Sequence, residues 1–186
     1  MKIIFKSLLM VAAGFLMILP LKAQEVSASQ NIVKVNLFSP IARTGSFFFE
    51  RVVADHMTMQ LGFFYTGASI VDTKFRGFGI TPEFRYYLSE SRTGPSGTFI
   101  APYLRYQSFN LSTDIGNDEA TYSAMGGGLL VGYQRLLRNR ISLEGFIGPS
   151  YSSGKIKVDA GNQGSFDTGF FDGFGVRFGV TAGVAF

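Results

Sequence analysis

The sequence contains no cysteine and one histidine, His56, among its 186 residues. The first absence removes a disulfide framework, thiolate metal sites and a lipidated cysteine anchor together. The second leaves only carboxylates to complete a metal site, so neither a metal nor any other cofactor is expected. No lysine-rich or arginine-rich run supplies an electrostatic footprint for nucleic acid, which is not expected as a partner. Beyond the first two dozen residues, no apolar stretch reaches the roughly 20 residues that a membrane-spanning helix needs.

The N-terminus carries a different signal. Lys2 and Lys6 give a positive start, Ser7 to Leu19 is nearly all apolar, and Leu21-Lys22-Ala23 offers a small-residue cleavage site before Gln24. A cleaved signal peptide is therefore expected over 1–23, its apolar run being too short for an anchor helix. Cleavage takes three of the 17 basic residues and none of the 13 acidic ones, so the formal net charge falls from +4 to +1. The remaining 24–186 is of a length for one domain, and its lack of cysteine is compatible with an exported, oxidising compartment.

What the mature part has in quantity is glycine (23 in the chain) and aromatics (15%), set in short alternating runs that point to strands. In the last run Phe174, Val176, Phe178, Val180, Ala182, Val184 and Phe186 share one face, while Gly173, Gly175, Arg177, Gly179, Thr181, Gly183 and Ala185 share the other. A water-soluble barrel would have to cover its outside with the small residues and arginine. The inverted arrangement fits better, with the apolar face on lipid and the glycine-rich face lining a narrow lumen. Strands are expected near 31–39, 46–53, 57–66, 76–89, 98–112, 120–137, 141–155 and 171–186. The expected fold is thus an all-β, transmembrane, antiparallel up-and-down barrel of about eight strands in the outer membrane. An even count places both chain ends on the periplasmic side, with short turns there and long loops outside. Two connections depart from that rule: 41–45 is short for an outer loop and 90–97 long for a periplasmic turn.

The terminal alternation through Phe178, Val180, Val184 and Phe186 resembles the C-terminal signal read by the outer-membrane barrel assembly machinery, which that resemblance implies as a partner beside outer-membrane lipid. With Asn36-Leu-Phe-Ser-Pro40 and Phe47-Phe-Phe-Glu-Arg51 near its start, the mature chain resembles small Gram-negative outer-membrane barrels of uncharacterised function, similar in architecture to OmpA-type barrels. No peptidoglycan-binding domain follows the last run, so that role is not carried over.

If the apolar faces meet lipid, Lys34, Glu50, Glu83, Arg85, Arg105, Glu144 and Arg177 point inward, four cations against three anions. Charges in a narrow lumen must be paired, which makes an interior network that plugs the barrel the preferred expectation over a charge-lined pore. Eight strands leave an interior about wide enough for side chains to fill. Pro82 and Pro102 are expected at nearly the same height on adjacent strands. Their ordinary explanation is a pair of bulges or solvent-level positions; the alternative is a weakened seam giving lateral access to an apolar solute. His56 and Thr58 form a His-x-Thr pattern, loosely similar to the His-x-Ser of barrel lipid A deacylases, but a turn residue explains His56 better. The oxygen-rich segments 114–119 and 159–167 lack the spacing of a calcium loop and are expected to be solvated loops. Tyr65, Tyr86, Tyr106, Tyr133 and Tyr151 are candidates for an aromatic girdle, and Arg51 and Arg135 fall on apolar faces near periplasmic ends. The expectation is a non-enzymatic envelope protein, with a narrow pore or lateral transporter next and a lipid A-modifying enzyme third. The sequence names no extracellular ligand.

Overall fold

The computed structural model describes residues 30–70, 73–88, 95–113, 119–160 and 172–186. The strands are β1 Asn31–Asn36, β2 Thr44–Ala54, β3 Met57–Ile70, β4 Thr73–Tyr87, β5 Gly97–Thr113, β6 Glu119–Leu137, β7 Ile141–Ala160 and β8 Gly173–Ala185. Each pairs antiparallel with the next, and β8 returns to β1, so the sheet closes into an eight-stranded up-and-down barrel. Asn31 and Phe186 exchange backbone hydrogen bonds at 3.1 and 2.9 Å, which fixes both ends of the barrel at one rim. That rim is the terminus end, and the opposite rim the loop end. The expected signal segment 1–23 lies outside the described residues.

The strands sit where the alternation puts them, with differences at the loop end. β1 stops at Asn36 rather than near 39, because Ser39–Ala42 form a 3-10 turn with Pro40 at its start. The Asn36 side chain accepts a 2.9 Å bond from the Phe38 N–H, and Arg43 takes a left-handed φ of 51° before β2 begins. The connection expected over 66–75 is largely strand, since β3 and β4 stay paired up to Ile70↔Thr73. β7 likewise runs on to Ala160. At the terminus end the β2–β3 and β6–β7 turns are tight: His56 has a φ of 62°, and Arg138 and Asn139 are consecutive left-handed residues, the geometry that matches the twist of a hairpin.

Alternation then sorts the side chains. Large apolar residues face outward on every strand, among them Val33, Phe47, Leu61, Phe84, Leu104, Leu129, Ile147 and Phe178. Polar and charged residues are buried inside, including Lys34, Glu50, Gln60, Glu83, Arg85, Gln134 and Glu144. The polarity of a soluble barrel is reversed.

The inner face is not only small and polar, as the last strand alone led us to expect. Phe48, Phe64, Phe99, Tyr103, Phe109 and Phe146 also point inward, and each is registered directly opposite a glycine: Gly62, Gly79, Gly132, Gly128, Gly77 and Gly179 respectively. A Cβ on Gly62 would lie 2.9 Å from the Phe48 ring, and one on Gly132 would lie within 2.7 Å of the Phe99 ring. The interior glycines are the floor on which neighbouring rings lie flat, covering backbone that would otherwise be bare.

Candidate functional site

The lumen divides into a charge cluster toward the terminus end and a cavity toward the loop end. The cluster's charged members come from five strands, and neutral partners come from two more. Lys34 Nζ on β1 donates to Glu50 Oε2 at 2.6 Å, to Gln134 Oε1 at 2.8 Å and to Glu144 Oε2 at 2.5 Å. Arg85 grips Glu144 with both terminal nitrogens, at 2.8 and 3.0 Å, and donates to Glu83 at 2.9 Å. Its guanidinium carbon lies 4.5 Å over the Phe99 ring. Thr58 and Tyr87 donate to the other oxygen of Glu50, at 2.6 and 2.8 Å, and Gln60 donates to Glu83 at 2.9 Å. Arg177 approaches Glu83 Oε1 at 2.7 Å as an ion pair without hydrogen-bond alignment. Three cations thus meet three carboxylates, none more than 8% exposed in its side chain. Fork-on-carboxylate geometry and neutral partners meet what burial demands of Lys34, Arg85, Glu50 and Glu144, whereas Arg177 Nη1 and Glu83 Oε1 are buried without a hydrogen-bond partner. Gln134 Nε2 also donates 2.8 Å to the Pro95 carbonyl, tying the cluster to the β4–β5 connection.

Arg105 stands apart. Its Nε donates to Thr81 Oγ1 at 3.2 Å, and its guanidinium lies 5.4 Å from the Phe64 ring centre. No described carboxylate pairs with it. It lines a cavity of 350 Å³ together with Arg177, Tyr103, Phe146 and, at the loop end, Ser46 and Thr44.

Pro82 and Pro102 are both exposed on the outer face. The β4–β5 register is constant through them, from Ile80↔Tyr106 through Glu83↔Tyr103 to Tyr86↔Ile100, so neither marks a bulge. What changes is the ladder: 81, 82, 84 and 85 lack a partner on β5. In an antiparallel sheet the N–H and C=O of one residue face the same neighbour. Both prolines turn their donor-less nitrogens into this seam, and each missing bond undoes the two pairs it would have closed. Glu83↔Tyr103 survives because the donors that close it belong to Phe84 and Leu104. Pro149 has the same effect once in the β6–β7 seam, where 129 and 130 lack partners.

The remaining candidates fall in separate places. Phe178, Val184 and Phe186 are exposed on the outer face of β8, and Val180 on that face is half-buried. The five tyrosines Tyr65, Tyr86, Tyr106, Tyr133 and Tyr151 all point outward and are exposed. Arg51 and Arg135 are also outward, both close to the terminus end. The His56 ring lies 6.3 Å from the outward Tyr86 ring, whereas the Thr58 hydroxyl is inside on Glu50, so the two do not form a pair. Among the described residues no group of His, Asp and Glu is arranged to hold a metal. The segments 114–118 and 161–171, which hold most of the oxygen-rich loops, lie outside the described residues. Sequence reasoning missed most of the inward aromatics; the signal was present in glycines recurring at strand positions whose partners on the adjacent strand are Phe or Tyr.

The model of a family described as "Protein of unknown function (DUF3575)" matches residues 13–164. Among curated proteins none matches the chain. Of solved structures, the chain is similar to CarO of Acinetobacter baumannii, at 11% identity over 88% of this chain and 99% of that one, with a TM-score of 0.43. It is also similar to a major outer membrane protein from Thermus thermophilus, at 15% identity over 84% of this chain and 98% of that one, with a TM-score of 0.45.

Proposed function

We propose that the chain, which belongs to the DUF3575 family of proteins of unknown function, is an integral outer-membrane barrel without enzymatic activity, closed across its lumen, that contributes to envelope structure and meets its surroundings through its loop end. The observation that carries this reading is one reversal of polarity: apolar side chains on the outside of all eight strands, and a neutral cluster of six charges within. An exposed apolar surface continuous around a barrel exceeds the patches that soluble monomers ordinarily carry and matches a lipid-facing band. Outward tyrosines suit the headgroup level, and Arg51 and Arg135 have stems long enough to reach it. With eight strands the terminus end faces the periplasm and the loop end the exterior. Phe178, Val180, Val184 and Phe186 offer the assembly machinery its recognition strand, and residues 1–23 serve export and are removed.

The test is refolding of 24–186 into detergent, followed by gel mobility with and without heating and by single-channel recording. The reading expects heat-modifiable mobility and no sustained openings. Sustained wild-type conductance sinks the closed lumen, and a protein that stays soluble and monomeric without detergent sinks the membrane assignment.

A second reading, lateral passage of an apolar solute, is favoured by the two donors missing from the β4–β5 seam. In that reading Pro82→Ala with Pro102→Ala slows the passage of such a solute. An unchanged rate excludes it.

A further inference from the structure

Among the described strand residues that point into the lumen, the charges do not balance. Lys34, Arg85 and Arg177 neutralise Glu50, Glu83 and Glu144, and Arg105 is the cation left over. The surplus is not scattered, because Arg105 lines the one wall of the 350 Å³ cavity that also carries Thr81 and Tyr103. Arg177 borders the same space, and its Nη1 is buried with no hydrogen-bond partner.

Both guanidiniums lie against aromatic rings. Arg177 stacks 4.5 Å over Tyr103 and 5.3 Å from the Phe146 ring centre, and Arg105 lies 5.4 Å from that of Phe64. A ring takes none of a guanidinium's N–H donors, and those not committed to Thr81 or Glu83 remain for a planar carboxylate, which accepts two side by side. The Nε bond from Arg105 to Thr81 fixes the direction of that edge. Around the two cations the walls are mixed, aromatic on Phe48, Phe64 and Phe146 and hydroxylated on Ser46 and Ser150. The volume falls at the small end of the roughly 300–1,000 Å³ of small-molecule sites.

We propose that this cavity is a binding site for a small organic anion, a carboxylate on an aromatic or other apolar body, with Arg105 and Arg177 taking the carboxylate and the rings of Phe64 and Phe146 packing the body. The charge cluster beneath forms the floor of the site; its Lys34 and Arg85 are committed to carboxylates, so the donors left for a ligand are those of Arg105 and the unpartnered Nη1 of Arg177. The site is independent of whether the lumen below conducts.

The experiment is isothermal titration of the detergent-refolded barrel with benzoate, with benzylamine and benzyl alcohol as bodies of the same shape bearing a positive charge or none, and with inorganic phosphate. Benzoate is expected to bind, benzylamine not to bind, and phosphate and benzyl alcohol to bind more weakly than benzoate. Arg105→Gln is expected to weaken benzoate by about tenfold or more, the scale of a lost charge-assisted hydrogen bond. Arg105→Lys, which keeps the charge but not the fork, falls between. Heat-modifiable mobility establishes that each variant is folded. No benzoate binding, equal affinity in Arg105→Gln, or binding of benzyl alcohol or phosphate as tight as benzoate each overturns the proposal.

Discussion

The terminus half and the loop half of the lumen are made from the same alternating strands, yet they are filled differently. In the terminus half, Lys34, Glu50, Arg85 and Glu144 interlock around Gln134 and Tyr87, and every one of these residues is buried. In the loop half, Arg105 has no carboxylate partner among the described residues, and a cavity remains beside it. The difference teaches that inward polarity alone does not close a barrel. Closure needs opposite charges at one height on different strands, with the uncharged partners that take up their remaining donors and acceptors.

Removing a member of the interlocked half gives the largest expected effect. Glu144 accepts from Lys34 and, through both oxygens, from Arg85. Glu144→Gln leaves two buried cations short of one counter-charge. A loss of about 3 kcal/mol or more in unfolding free energy is expected, by urea titration in detergent or lipid. The same variant should also admit water and ions, so channel openings should appear that the wild type lacks. A small stability change with no openings would place the seal elsewhere.

One glycine substitution made in each half sharpens the contrast. Ala at 132 sets a Cβ within 2.7 Å of the fully buried Phe99 ring and 2.8 Å from the Gly145 carbonyl, where neither neighbour has room to move. Gly132→Ala should cost about 1–3 kcal/mol, the usual range for overpacking, and Phe99→Leu should recover part of it. At 62 the new Cβ would be 2.9 Å from Phe48, whose ring borders the cavity and has space to shift. Gly62→Ala should therefore cost less than about 1 kcal/mol. Equal costs would mean that the loop half is packed as tightly as the other.

The seam between β4 and β5 runs alongside both halves, and the two prolines act on it in the same way. Pro82→Ala with Pro102→Ala supplies two N–H donors to carbonyls that lack them in the ladder. Each restored bond should stabilise by about 1 kcal/mol. Hydrogen exchange reads it directly, since the new amides at 82 and 102 should be protected to the level of their neighbours on β4 and β5. Rapid exchange at both would mean that the strands part there for reasons other than the missing donors.

How much of this was legible beforehand depended on whether the deciding interaction lay within a strand or between strands. The alternation in β8 and β4 displayed the outer and inner faces directly, because strand geometry imposes a period of two on any one-sided environment. The count of four inward cations against three anions was also visible. Which cation was left over was not: Arg105 and Arg85 are both inward arginines on neighbouring strands, and only register places Glu144 within reach of one and not the other. The early end of β1 was hidden because Leu37 and Phe38 continue an apolar run that Pro40 and the Asn36 side chain break. The proline seam was half legible: equal height follows from hairpin symmetry, but the direction of each missing donor follows only from which neighbour the backbone faces.

The smallest expected effect falls on the residue that most separates the halves. An arginine in an ion pair stabilises through its partner, and removing it strands the carboxylate. An arginine without a carboxylate carries its desolvation cost with only the Thr81 bond and the Phe64 ring to offset it. Arg105→Gln keeps a polar end for Thr81 and removes the unmatched charge, so unfolding free energy should move by no more than about 0.5 kcal/mol, in either direction. Arg85→Gln, made one strand away, leaves Glu83, Glu144 and Glu50 facing one another and should lose several times as much. Measured together by urea titration, the pair separates a charge held for the fold from one held in reserve. If Arg105→Gln is as damaging as Arg85→Gln, Arg105 belongs to the cluster after all, and the two halves of the lumen are one.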